Sequence, residues 1–114
     1  MTGALSALPG GWAELPPLQD PRQAVAVAAL GGQIYVIGGI RRVVSTADTV
    51  EVFDPSEGRW RFASPLPQGL HHTAAAVVDG KLYVIGGLKG LSFAPVHHRP
   101  GQGTAGSGKR RALL

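Results

Sequence analysis

The sequence predicts an all-β protein built from four-stranded antiparallel units repeated along the chain. Three observations carry this. The segment Ile34-Tyr35-Val36-Ile37-Gly38-Gly39 recurs 48 residues later as Leu82-Tyr83-Val84-Ile85-Gly86-Gly87. Short β-branched and aromatic runs alternate with glycine- and proline-bearing turns, as in an antiparallel sheet. No window places apolar residues at helical spacing between caps, so no helix is expected. The repeat runs without a gap from Trp12/Trp60 to Gly39/Gly87, and 11 of those 28 pairs are identical.

The elements follow in order. Residues 12–15 read as the outer strand of a unit whose other three strands are absent. Residues 24–30 form a run of Ala, Val and Leu closed by Gly31-Gly32. Residues 34–37 form a second run, closed by Gly38-Gly39. Both are apolar almost continuously, which predicts burial on both faces. Residues 49–53 alternate, with Val50 and Val52 on one face and Glu51 on the other. Asp54-Pro55-Ser56-Glu57-Gly58 is a turn by composition, and residues 59–63 make a fourth short strand. Pro65, Pro67 and Gly69 break the chain before residues 71–87 repeat the first two strands. The offset would put the next third strand at residues 97–103, where His-His-Arg-Pro-Gly-Gln-Gly shows neither alternation nor an aromatic.

A four-stranded unit with a period near 50 and two apolar faces reads as one blade of a β-propeller. The chain resembles the kelch repeat. The carrying features are the doublets Gly38-Gly39 and Gly86-Gly87 after apolar strands, and Phe53 separated from Trp60 by one turn. Kelch repeats usually have Tyr where Phe53 stands. The WD repeat expects Trp followed by Asp, and neither tryptophan here is so followed. The resemblance covers residues 12–90 and implies a kelch-type propeller, more often an interaction scaffold than an enzyme. Its glycines permit positive φ and close backbone approach. Trp12, Tyr35, Phe53, Trp60 and Tyr83 are expected to pack as structural residues in and between blades.

The chain divides into a lead over residues 1–21, a complete blade over 22–64, half a blade over 65–90 and a tail over 91–114. Propellers close with about four to eight blades, so the ring is incomplete. A marginal monomer is expected, with other copies or a longer partner chain completing the ring. The tail is rich in glycine and basic residues and is expected to be disordered. Its abrupt onset fits a frame shift or alternative exon better than a native tail.

Charge narrows the function classes. Through Gly90 the chain carries seven Lys/Arg and seven Asp/Glu; the whole net charge of +4 lies in the last 24 residues. The basic balance describes the tail, and nucleic acid is not an expected partner. The absence of cysteine excludes disulfides, thiolate ligands and a cysteine nucleophile. It also excludes the radical-copper oxidases related to kelch propellers, which need a tyrosine linked to cysteine. No apolar run approaches the ~20 residues of a membrane span, and the N-terminus lacks a secretory pattern, so a cytoplasmic protein is expected.

Strand alternation sorts the loops by face and gathers Arg22, Arg41, Arg42, His71, His72 and Lys89 on one of them. Arginine forks suit carboxylates, so an acidic protein partner is expected there. Adjacent histidines on a strand point to opposite faces, so neither His71-His72 nor His97-His98 is expected to hold a metal. No cofactor and no catalytic set is expected. The alternative reading is a remnant of a sugar-mutarotase type of propeller enzyme, whose site would draw on several blades.

Overall fold

The computed structural model describes residues 3–8, 11–42, 45–90 and 110–112, the first and last of these by backbone alone. Strands β1 (Gly3–Leu8) and β2 (Gly11–Pro17) form an antiparallel hairpin. Strands β3 (Ala26–Leu30), β4 (Gln33–Ile37), β5 (Val50–Asp54) and β6 (Arg59–Phe62) form one four-stranded antiparallel sheet in sequence order. Strands β7 (Ala74–Val78), β8 (Lys81–Ile85) and β9 (Arg110–Ala112) form a three-stranded sheet. No helix occurs among the described residues.

The two larger sheets repeat one another in backbone as well as sequence. The β3–β4 turn uses Gly31 and Gly32 at φ 61° and 76°; the β7–β8 turn uses Asp79 and Gly80 at φ 51° and 72°. Ala24 and His72, one repeat apart, both adopt positive φ, 57° and 55°. The doublet glycines match too, Gly38 and Gly39 at 63° and 113°, Gly86 and Gly87 at 69° and 117°. At the β5–β6 turn, Ser56 donates its N–H and its hydroxyl to Asp54 Oδ1 at 2.9 and 2.7 Å, which fixes the bend.

The second sheet gains its third strand late. The repeat offset would place the counterpart of Val52 at position 100, but Arg111 stands opposite Tyr83, as Val52 stands opposite Tyr35. Of the tail expected to be disordered, residues 110–112 form β9, while residues 91–109, which include 97–103, and 113–114 lie outside the described residues.

The main core lies between the two sheets. Tyr35, Ile37, Val50 and Val52 from the first pack against Leu82 and Val84 from the second and against Leu66 and Leu70 from the connection between the two sheets. Full burial of each such side chain contributes about 1.5–3 kcal/mol. A smaller cluster covers the far face of the first sheet, where Val36, Phe53 and Trp60 meet Leu15, Leu18, Val25 and Ile34. The Phe53 and Trp60 rings lie 5.2 Å apart, and Trp60 Nε1 donates to the Pro16 carbonyl at 2.7 Å.

Backbone hydrogen bonds stitch the sheets along one rim. Gly39 N donates to Leu70 O at 2.8 Å, Leu66 N to Asp48 O at 2.7 Å, and His72 N to Ala24 O at 2.9 Å. The Gly38 position requires glycine twice over: φ is positive, and a Cβ would run into the Leu70 carbonyl.

Two expectations are corrected. Trp12 is not packed between blades but is 73% exposed. Of the first two strands of each unit only β4 is buried on both faces; β3, β7 and β8 are not. Val27 in β3 is 57% exposed, and four of the five residues of β7 are exposed. Apolar composition specifies a face that seeks cover; Val27 and β7 have no sheet beyond them among the described residues.

Gly38→Ala and Gly86→Ala should therefore separate. Both incur the positive-φ cost of roughly 1–2 kcal/mol, but only Gly38 also faces the Leu70 backbone, whereas nothing lies within 4 Å of a Cβ at Gly86. Denaturant unfolding of dilute protein should show Gly38→Ala as the more destabilised by at least ~1 kcal/mol. Equal losses would contradict the seam.

Candidate partner-binding loop face

Four segments meet on the rim that carries the seam: residues 18–25, 38–49, 63–73 and 86–90. Gln23 and Ile40 bridge, Ile40 and Thr46 bridge, and one repeat later His71 bridges Leu88. Gly90 N donates to Thr46 Oγ1 at 2.7 Å, which ties the last segment back to the first sheet.

Arg22 is the centre of this rim, and its side chain has no accessible surface. Its Nε donates to Asp20 O at 2.8 Å. Its Nη1 donates to Gly38 O and Thr49 O at 2.8 and 2.7 Å. Its Nη2 donates to Glu51 Oε2 at 3.0 Å. The Glu51 side chain is equally inaccessible and also accepts from Gln19 N at 2.7 Å and Asp20 N at 3.0 Å. A buried ion pair is tolerable when such additional bonds satisfy both ions. Arg22 thus joins the loop ahead of β3 to the ends of β4 and β5.

A second pair sits outside the first. Arg41 Nε and Nη2 each lie 2.9 Å from an Asp20 carboxylate oxygen, and Thr49 Oγ1 donates to Asp20 Oδ2 at 2.6 Å. Partial burial pushes the Asp20 carboxyl up. The hydrogen bonds from Arg41 and Thr49, with the charges of Arg41 and Arg22, outweigh burial and hold it below its ordinary value of 3.8. Arg41 keeps 34% of its side chain exposed.

The two histidines meet, contrary to the expectation of opposite faces. His72 leaves the extended conformation at its positive φ, so the rings contact edge to face with centroids 4.9 Å apart. His71 is buried, and its Nε2 lies 2.8 Å from the Gly90 carbonyl, which requires that nitrogen to carry hydrogen. Its Nδ1 lies 2.7 Å from His72 Nδ1, so one of the two nitrogens donates to the other. No group of three or more His, Asp or Glu side chains converges among the described residues.

The six residues assigned to one face do gather there, but they differ in availability. Arg22 and His71 are interior and hold the rim together, which corrects their assignment to a partner. Arg41 is half-committed to Asp20. Arg42, His72 and Lys89 are exposed. Glu51 is a further residue of the rim that its place in the sequence does not reveal. It alternates with Val50 and Val52 as an outward residue would, yet it is fully buried. Its signal was indirect: Arg22 falls where the next repeat has Leu70, a fully buried core residue.

A sequence profile of the kelch motif matches residues 21–67 and 69–98. The chain belongs to the kelch motif family. Kelch-like protein 35 of Mus musculus is 44% identical over 46 residues, covering 40% of this chain and 8% of that protein. Kelch-like protein 21 of Danio rerio is 40% identical over 45 residues, covering 40% of this chain and 7% of that protein. Among solved structures, "Structure of YjhT" matches with a TM-score of 0.64 and 28% identity, covering 69% of this chain and 25% of that one. The fold is a fragment of a kelch-type β-propeller. The match spans less than a tenth of the two curated relatives' length.

Two outcomes follow from the ion pairs. Glu51→Ala leaves the Arg22 guanidinium buried and unpaired, at a cost of about 3–5 kcal/mol. That is a large part of a typical domain's 5–15 kcal/mol, so circular dichroism at room temperature should show a largely unfolded variant. A native spectrum with an unchanged melt would refute the role given to the pair. The contribution of Asp20 is complete above its ordinary value and is lost as pH falls through the lowered native one. Asp20→Asn should therefore lose less thermal stability than the parent between about pH 5 and pH 2.

Proposed function

We propose that this chain is a non-enzymatic protein-interaction module whose loop rim receives an acidic partner through Arg42 and Lys89, flanked by His72. Kelch repeats commonly serve as protein-interaction modules, and the rim supports the finer reading. The observation that carries it is a division among its cations. Arg22 and Arg41 are paired with Glu51 and Asp20. Arg42 and Lys89 are exposed and make no ion pair among the described residues. The paired arginines hold the loops, and the unpaired cations remain for a ligand. Cation–carboxylate contacts at such a rim set specificity and association rate more than raw affinity.

An absence of catalytic activity belongs to this proposal, because the rim's described carboxylates, save Asp48, hold its arginines rather than standing free for proton transfer. So does a cytoplasmic location, to which a cysteine-free chain is suited. No helix among the described residues is long and apolar enough to cross a membrane.

An array of acidic peptides, with neutral peptides of matched hydropathy as controls, tests the reading. The parent should retain acidic peptides, and retention should weaken as salt rises. The double variant Arg42→Glu/Lys89→Glu should bind about tenfold more weakly while melting as the parent does. Equal retention of acidic and neutral peptides, or indifference to the double reversal, would overturn it.

A further inference from the structure

The chain contains one blade-to-blade interface; one of its two surfaces recurs in an open form and the other in a partly open form. On the first sheet, Ala26, Tyr35 and Ile37 are buried against the second sheet, with Ala28 and Leu30 packed beside them. One repeat later the same face carries Ala74, Ala76, Val78, Tyr83 and Ile85. It has no covering sheet: Val78 is 54% and Ile85 42% exposed. The complementary surface recurs as well. Ala75, Val77, Leu82 and Val84 face the first sheet; their counterparts one repeat earlier are Val27, Ala29, Ile34 and Val36, of which Val27 and Ala29 are exposed.

The glycine doublets and the strand edges say the same. Gly38 lies against Leu70, while Gly86 holds nearly the same φ with nothing within 4 Å of its Cβ position. The second sheet has three strands, and β9 has an open outer edge among the described residues. In the first sheet the fourth place is filled by β6. The counterpart of β6 one repeat earlier is the start of β2, Trp12 for Trp60, and β2 pairs on one edge only.

We propose that copies of this chain associate head to tail. The open face of β7 and β8 in one copy packs on Val27 and Ala29 of the next, beside the lead that covers Ile34 and Val36, and β2 of the next copy adds to β9 as the fourth strand. The interface copies the one already inside the chain, and strand addition satisfies two open edges at once. A head-to-tail contact closes into a ring when its rotation allows. Each copy supplies two blades, so closure at about four to eight blades takes about two to four copies. The proposal is independent of the acidic-partner reading, because it uses the sheet faces and not the loop rim.

Sedimentation of the full chain across micromolar concentrations tests it. The parent should form a closed species of two to four times 11.8 kDa that dissociates on dilution. Val27→Glu and Ile85→Glu each spoil one surface and should each be monomeric, with the circular dichroism of the dissociated parent. Mixed, they retain one intact pair of surfaces and should form a complex of two chains and no larger. If either variant loses its spectrum, Ala29→Glu and Ala76→Glu replace them on the same faces. A parent that stays monomeric, a variant that still assembles by itself, or a mixture that does not pair would each overturn the proposal. Assembly abolished by Ile85→Glu but untouched by Val27→Glu would show a face-to-face dimer instead.

Discussion

A kelch blade has two apolar faces, and each needs a neighbour. That constraint organises everything else in this molecule. The first sheet satisfies it on one side against the second sheet and in part on the other, where the lead from Leu15 to Leu18 covers Val36, Phe53 and Trp60 but leaves Val27 exposed. Fully buried Ile37, Val50 and Val52 mark the better-covered side. The second sheet satisfies it on one side only, and its strand β7 is consequently almost all exposed. Hydrophobic burial scales with the area removed from water, so the first sheet is the stable unit and the second is held to it.

The loop rim is the device that keeps the first sheet covered. Leu15 and Leu18 are apolar, but a lead of this kind needs fixing in place. The Arg22–Glu51 pair does so from within, since Glu51 accepts from the backbone of Gln19 and Asp20 while Arg22 grips Gly38 and Thr49. Asp20 then holds Arg41 on the outer side. Charges that resemble a binding patch in sequence are in part the fastening of the lead to the sheet. What remains exposed is Arg42, next to the paired Arg41, and Lys89, next to Gly90, whose N–H donates to Thr46.

Much of the fold was legible from residues alone because the signals are local. Alternation located β5, the glycine pairs located the ends of β4 and β8, and the 48-residue offset showed that one pattern is used twice. The site was less legible, for identifiable reasons. Period-two alternation says which face a residue takes, not what covers that face. Glu51 therefore looked outward, although the lead lies over it. Trp12 matched Trp60 in the repeat, yet Trp60 stands opposite Phe53 while Trp12 stands opposite Ala7, which brings no ring to cover it. His71 and His72 were read as strand neighbours, and a positive φ at His72 turns their rings together. β1 and β9 had no sequence signal: residues 3–8 fall in the lead ahead of the repeat, and Arg110-Arg111-Ala112 shares nothing with Glu51-Val52-Phe53.

The central claim is that cover by a neighbouring sheet, and not strand propensity, decides how firmly each blade is held. Amide hydrogen exchange on dilute protein measures this directly, strand by strand. The account predicts that Tyr35, Val36 and Ile37 in β4 exchange near the limit set by global unfolding. The corresponding Tyr83, Val84 and Ile85 in β8 should exchange markedly faster, through opening of the second sheet alone. Equal protection of the two segments, despite their identical sequence Tyr-Val-Ile, would contradict it.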